Sequence, residues 1–130
     1  MTAVRTMRNA AALAVVALAL ALMPPPSAAR EIPEAIPPVP LAALPAEARS
    51  VYALIHEGGP FRYDRDGIAF GNREALLPAK PRGYYHEYTV RTPGTKSRGA
   101  RRIICGGQAR RPDTCYYTDD HYRSFRRISE

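Results

Sequence analysis

Residues 83–90, GYYHEYTV, decide the fold. Tyr84, Tyr85, Tyr88, Thr89 and Val90 are strong strand formers, so local preference makes this a β-strand. Neighbouring side chains of a strand lie on opposite faces. Glu87 therefore points with Tyr85 and Thr89, and away from His86, Tyr88 and Val90. A carboxylate in the middle of a sheet is costly unless a cation or a hydrogen-bond donor meets it. Tyr88 and Val90 are expected in the core, which leaves Glu87 on the outer face and turns His86 away from it into a structural role.

Working outward, further strand candidates are separated by turn chemistry: GIAF (67–70) after Asp66-Gly67, ARRIIC (100–105) before Gly106-Gly107, CYYT (115–118) and RSFRRIS (123–129). Upstream, Pro45 suits a first helical turn. Ala48, Val51, Tyr52 and Ile55 recur at helical spacing, and Gly58, Gly59 and Pro60 end the pattern. His56 falls in the last turn, where the helix dipole favours it. One N-terminal helix followed by a run of strands indicates an α+β fold, the helix packed on a small twisted antiparallel sheet. In ARRIIC, Ile103 faces the core and Arg102 faces out. If this strand pairs with GYYHEYTV through the 92–99 loop, Glu87 and Arg102 become neighbours.

The 130 residues divide into three stretches. Residues 1–29 carry Arg5 and Arg8, then an uncharged apolar run from Ala10 to Met23, then PPPSAA with Ser27 and Ala29 placed for cleavage. That is a secretory signal peptide. The run is shorter than the roughly 20 residues of a membrane span, and prolines end it. No cysteine follows it to take a lipid. Residues 30–40 hold Pro33, Pro37, Pro38 and Pro40 and read as an extended, weakly ordered leader. Residues 41–130 form one domain. Loss of the two signal-peptide arginines lowers the net charge from +7 to +5, still enough to suggest an anionic partner or simply to aid solubility. The only cysteines, Cys105 and Cys115, are expected to form a disulfide in a secreted protein. Without a histidine pair they are poor zinc ligands. No metal cluster or cofactor is expected.

Several stretches in order then resemble one family: LPAEA (44–48), GGPFRYDRDGIAFGNREALLP (58–78), GYYHEYTV (83–90), TPGTKSRGARRII (92–104) and YYTDDHYRSF (116–125). The set is similar to the microbial guanyl-specific ribonucleases of the barnase type, closest to the streptomycete ribonuclease Sa branch. The resemblance implies Glu87 as general base, His121 as general acid, and Arg98 and Arg102 as phosphate-binding arginines. Chemistry agrees with that allocation: cleaving RNA needs a base for the 2′-hydroxyl and an acid for the departing 5′-oxygen. Planar arginine forks suit the charge gathering on the phosphate. Read singly, Arg98, Arg101 and Arg102 are a solvated basic strand, His121 bonds within a turn, and Glu87 pairs for structure. Their joint presence at matching spacings favours the active site.

The resemblance further places guanine recognition in GIAFGNRE (67–74). Glu74 would accept from N1–H and N2–H₂, and main-chain N–H groups at Asn72 and Arg73 would serve O6. Gly71 shapes the loop, Phe70 stacks on one face of the base, and Tyr122 covers the other. Asn72 is expected to hold the loop's backbone. Departures exist: Gly71 stands where the family has a glutamine-like position, and the family's end-to-end disulfide is replaced by Cys105 and Cys115. These flank an apparently expanded loop, GGQARRPDT (106–114), with Arg110 and Arg111 near the substrate side. The implied partners are single-stranded RNA and an acidic, barstar-like inhibitor, for a monomer secreted to the exterior without stable membrane association. The alternative is a non-catalytic basic module that binds RNA or anionic surfaces. A membrane-active protein ranks third, for the helix lacks a dense basic face.

Overall fold

The computed structural model describes residues 35–130, so the signal-peptide reading of residues 1–29 and the start of the leader lie outside the described residues. Helix α1 spans Ala46–Glu57 with Pro45 before its first turn, Glu47 inside that turn and His56 in the last. Gly58 ends it at φ +85°, where the N–H groups of Gly58 and Gly59 both donate to Leu54 O. That left-handed ending suits glycine. His56 Nδ1 lies 2.9 Å from Tyr52 O, within the helix. Ala48 and Ile55 are fully buried, with Val51 and Tyr52 beside them, so the helical spacing turns one face inward.

Five strands form one sheet in the order β1-β5-β4-β3-β2. They are β1 (Pro38–Pro40), β2 (Tyr85–Thr89), β3 (Arg102–Gln108), β4 (Arg111–Thr118) and β5 (Arg126–Ser129). From β2 to β5 every pairing is antiparallel, but β1 runs parallel to β5. The expected antiparallel sheet is therefore mixed, and part of the leader belongs to it. Prolines are tolerated in β1 because it is an edge strand, and Val39 between them is buried at 6% exposure. Arg127 N–H also donates to Pro37 O.

The alternation of β2 is realised. Tyr88, Val90, Ile103 and Tyr117 bury against α1, while Tyr85, Ile104, Tyr116 and Phe125 form a second apolar cluster on the other face. GIAF does not become a full strand. Ala69 bridges His86, and three main-chain bonds tie the segment to the free edge of β2: Gly67 N to Glu87 O, Glu87 N to Ile68 O, and Phe70 N to Tyr85 O.

The expanded loop is also a correction. β3 and β4 run through most of 106–114, leaving Ala109 and Arg110 as the turn. Cys105 and Cys115 are directly paired across the ladder and joined by a disulfide on the helix side. The register slips after Gly106↔Thr114, because Gly107 pairs with Pro112 and leaves Asp113 as a one-residue bulge. A bulge reverses the alternation beyond it. Arg111 thereby joins Gln108 on the outer face. Arg110, expected on the substrate side, instead lies against Gly58 at the end of α1.

Candidate active site

Glu87 sits on the outer face of β2, 7% exposed. Both of its main-chain groups are used by the 67–70 segment, which fixes the carboxylate relative to the loop that follows. Tyr122 donates its hydroxyl to Glu87 Oε2 at 2.6 Å. Arg98 Nη2 and Arg65 Nε stand 3.7 and 3.9 Å from Oε1. Arg102 is not its direct partner: in the register Thr89 faces Arg102 and Glu87 faces Ile104, two rungs off the expected neighbourhood.

Arg102 nonetheless belongs to this place. It is 2% exposed, and its Nη1 donates to Gly99 O and Arg101 O at 3.0 and 2.7 Å. Its buried Nε has no hydrogen-bond partner among the described residues. Its guanidinium lies 5.9 Å from the centre of the Tyr122 ring. Arg98 is held by Thr89, whose hydroxyl accepts from Nε and Nη2 at 3.2 and 3.0 Å. Burial, then the hydrogen bond and charge of Glu87, push the Tyr122 hydroxyl above the ordinary tyrosine range, while Arg102 pulls the other way.

His121 and Tyr122 occupy a turn after β4, at φ +56° and +71°. Two successive non-glycine residues in the left-handed region are strained, at roughly 1–3 kcal/mol each. The turn is held by Asp120, which accepts from Ser124 N at 3.0 Å, from the Ser124 hydroxyl and from the Thr118 hydroxyl at 2.8 Å. Burial alone would raise the Asp120 pKa, but these hydrogen bonds outweigh it and hold the carboxyl below its usual range. His121 N–H donates to Ala100 O at 3.0 Å, joining this turn to the loop that carries Arg98.

A cleft of about 710 Å³ brings Glu87, His121 and Tyr122 together with the loop bearing Phe70, Gly71, Asn72, Arg73 and Glu74. Asn72 closes that loop: its amide donates to Leu77 O at 2.9 Å and accepts from Leu77 N at 3.1 Å. Asn72 and Ala75 both lie at positive φ. Phe70 and Tyr122 do not stand across a gap. Their rings stack on each other with centroids 5.2 Å apart and planes 25° off parallel. A base held between two rings needs about 7 Å, twice a van der Waals contact. Tyr122 thus stays on the Glu87 side of the cleft, kept there by its bond to that carboxylate.

Sequence reasoning missed three contributors. Arg65, inside YDRDG, is given no role by the sequence, yet the turn that carries it is fastened to β2 through Asp66, whose carboxylate accepts from Thr89 N at 2.7 Å and from Tyr63 N at 3.1 Å. Ile68 and Leu76, the large apolar side chains left exposed at 37% and 44%, both line the cleft. Their pattern carried no signal, because singly exposed apolar residues are ordinary. Among the described residues no three His, Cys, Asp or Glu side chains converge to hold a metal ion.

An α+β fold that gathers a carboxylate, an imidazole and arginines beside an aromatic loop has the equipment of a phosphodiester-handling protein. The ribonuclease family profile matches residues 27–129, and the chain belongs to that family. It is 60% identical over 86 residues to guanyl-specific ribonuclease Sa3 of Kitasatospora aureofaciens, covering 66% of this chain but only 59% of that protein. Guanyl-specific ribonuclease Sa of the same organism is 53% identical over 90 residues, which cover 69% of this chain and 91% of the relative. Ribonuclease St of Saccharopolyspora erythraea is 52% identical over 86 residues, with 66% and 81% covered. Among solved structures, ribonuclease Sa2 in complexes with mononucleotides matches with a TM-score of 0.69 at 45% identity, over 74% of this chain and 96% of that one. Ribonuclease Sa2 with guanosine-2′-cyclophosphate gives 0.67 at 45% identity, over 73% and 97%.

Proposed function

We propose that the protein is a secreted, guanyl-preferring endoribonuclease that cleaves single-stranded RNA 3′ of guanosine. Glu87 takes the 2′-hydroxyl proton as that oxygen attacks phosphorus. His121 gives a proton to the departing 5′-oxygen, and a 2′,3′-cyclic phosphate results. In the second step the roles reverse: His121 activates water, Glu87 returns the proton to the 2′-oxygen, and a 3′-phosphate is released. Arg98 and Arg102 bind the phosphate as negative charge gathers on it. Arg102 suits this because part of its buried guanidinium remains uncommitted. Tyr122 yields its bond to Glu87 when the ribose arrives.

Guanine would lie against Phe70 and the apolar lip of Ile68 and Leu76, with Glu74 accepting N1–H and N2–H₂ and the N–H groups of Asn72 and Arg73 serving O6. The disulfide and the leading 29 residues support export into an oxidising compartment. An acidic inhibitor is a fitting partner for a cleft edged by arginines.

One observation carries the reading: a buried carboxylate, 3.7 Å from Arg98, lines the cleft that also holds His121. A module that only bound RNA phosphates would be better without Glu87, whose charge repels them. The test is to incubate the mature protein with GpN and ApN dinucleotides in EDTA and identify products. Guanosine 2′,3′-cyclic phosphate is expected first, then the 3′-phosphate. Activity lost in EDTA and restored by Mg²⁺, or equal cleavage of both dinucleotides, rejects the reading.

A further inference from the structure

We propose that the far end of the same sheet face carries a second RNA-binding site, in which Lys80, Arg82 and Arg111 surround the ring of Tyr84 and hold the sugar–phosphate backbone of the strand being cleaved. The proposal rests on the ribonuclease reading and deepens it. The place is a cleft of about 640 Å³ between the 81–84 turn and the end of the β3–β4 hairpin, separate from the cleft of Glu87.

Its construction follows from the strands. Along β3, Arg102, Ile104, Gly106 and Gln108 share the outer face, so the cleft lies on the side that carries the candidate phosphate arginines. Gln108 lies six positions beyond Arg102, roughly 20 Å along the strand. The Asp113 bulge re-aims β4 so that Arg111, paired with Gln108, comes to this face. The disulfide one rung from Gly106 fastens the hairpin at the base of the cleft.

Tyr84 is a fixed platform. Its ring lies against Gly106, where a Cβ would collide with it, and its hydroxyl donates to Asp113 Oδ2 at 2.8 Å. Lys80 Nζ stands 5.2 Å from the ring centre, and Arg82 and Arg111 are exposed on the cleft's walls. Three cations oppose one carboxylate, and the tyrosine hydroxyl already occupies that carboxylate. A rigid aromatic ring among cations, on the face where the substrate docks, is the equipment single-stranded RNA needs: charge for its backbone and a surface for a base or sugar. Charge and a ring face tolerate any sequence, so binding here adds to cleavage through strand length, for strands long enough to reach.

The test uses Arg82→Gln/Arg111→Gln in the full protein. Cleavage of GpN should be unchanged, while kcat/KM on a single-stranded RNA of about a dozen nucleotides with one central guanosine should fall several-fold. Binding of the same strand in 2′-O-methyl form, which lacks the nucleophile, should lose salt dependence: the slope of log K against log salt falls by roughly 1.4 for two contacts. Arg62→Gln/Arg91→Gln, beside α1, removes the same charge elsewhere and should alter neither quantity much. Equal losses for both double variants reduce the effect to net charge and overturn the site, as does an unchanged slope in the first variant. A wild type that binds the 2′-O-methyl strand with the expected slope yet cleaves no GpN would instead overturn the nuclease reading and leave this site standing.

Discussion

Replacing Glu87 by glutamine keeps the side chain's shape and removes the proposed base. The stability terms can be taken from its surroundings. Attraction to Arg98 and Arg65 is lost, but those side chains are 29% and 62% exposed, so together they contribute no more than about 1 kcal/mol. The bond from Tyr122 passes from the charged to the neutral class, a loss of about 1 kcal/mol. Against these, glutamine ends the desolvation cost of a carboxylate at 7% exposure. The terms oppose and nearly cancel, so unfolding free energy should shift by about 1 kcal/mol or less and Tm by roughly 5 °C or less. Turnover should respond very differently, falling about 10²-fold or more in kcat on GpN. KM should stay level or drop, since the neutral amide no longer repels the phosphate. Urea unfolding and steady-state kinetics on one preparation measure both. Near-full kcat would refute the assignment, and destabilisation by several kcal/mol with proportionate loss of activity would make Glu87 structural.

Four further outcomes are expected. Glu74→Ala should reduce the ratio of GpN to ApN cleavage by one or two decades, for unfilled guanine donors cost roughly 1–3 kcal/mol, and an unchanged ratio removes Glu74 from that role. Reducing Cys105–Cys115, which are ten residues apart, should lower stability by about 3 kcal/mol on the chain-entropy account, read as a drop in Tm; an unchanged Tm rejects it. Gly71→Gln should be accommodated and stabilise by roughly 0.4–1 kcal/mol, because Gly71 is not at positive φ and a Cβ there meets only the flexible Arg73 side chain at 3.5 Å. Asp120 holds the His121 turn as an anion with a lowered pKa, so its contribution is complete above the ordinary carboxyl range and lost as pH falls through the lowered value. Asp120→Asn should flatten the fall of stability in that acidic window and lower kcat without altering the guanine ratio.

How much of this was legible depended on whether the cause was local. The spacing of Ala48, Val51, Tyr52 and Ile55 states a helix face, and the alternation around Glu87 states which side of β2 is buried. Both are short-range facts and both hold. β1 depends on a partner nearly ninety residues away, β5, and its prolines read as a reason against any strand. The Asp113 bulge was hidden because PDT reads as loop chemistry, and with it went the opposite fates of Arg110 and Arg111. Register was beyond the pattern too. Alternation puts Arg102 and Glu87 on one face but cannot say that they miss by two rungs, so that Tyr122, Arg98 and Arg65 meet the carboxylate instead.

The departures from ordinary folding rules gather at one place. Arg102 is buried with an unpartnered Nε, Glu87 is a carboxylate inside a sheet face, His121 and Tyr122 hold left-handed angles, and Ile68 and Leu76 stay exposed. Elsewhere the sheet follows the rules closely, with Ile103, Ile104 and Tyr117 at or below 2% exposure. A chain under pressure for stability alone would replace the buried charges with apolar residues of similar volume. Local rules broken together around one cleft, each with supporting bonds from Thr89, Asp120 and Tyr122, mark a surface shaped by another requirement. On the proposed reading that requirement is an RNA strand, whose phosphate would satisfy Arg102 and whose guanine would cover Ile68 and Leu76 while Tyr122 leaves Glu87. Glu87 is the exception, for its charge works against binding that ligand; the proposed chemistry is what requires it, as the base.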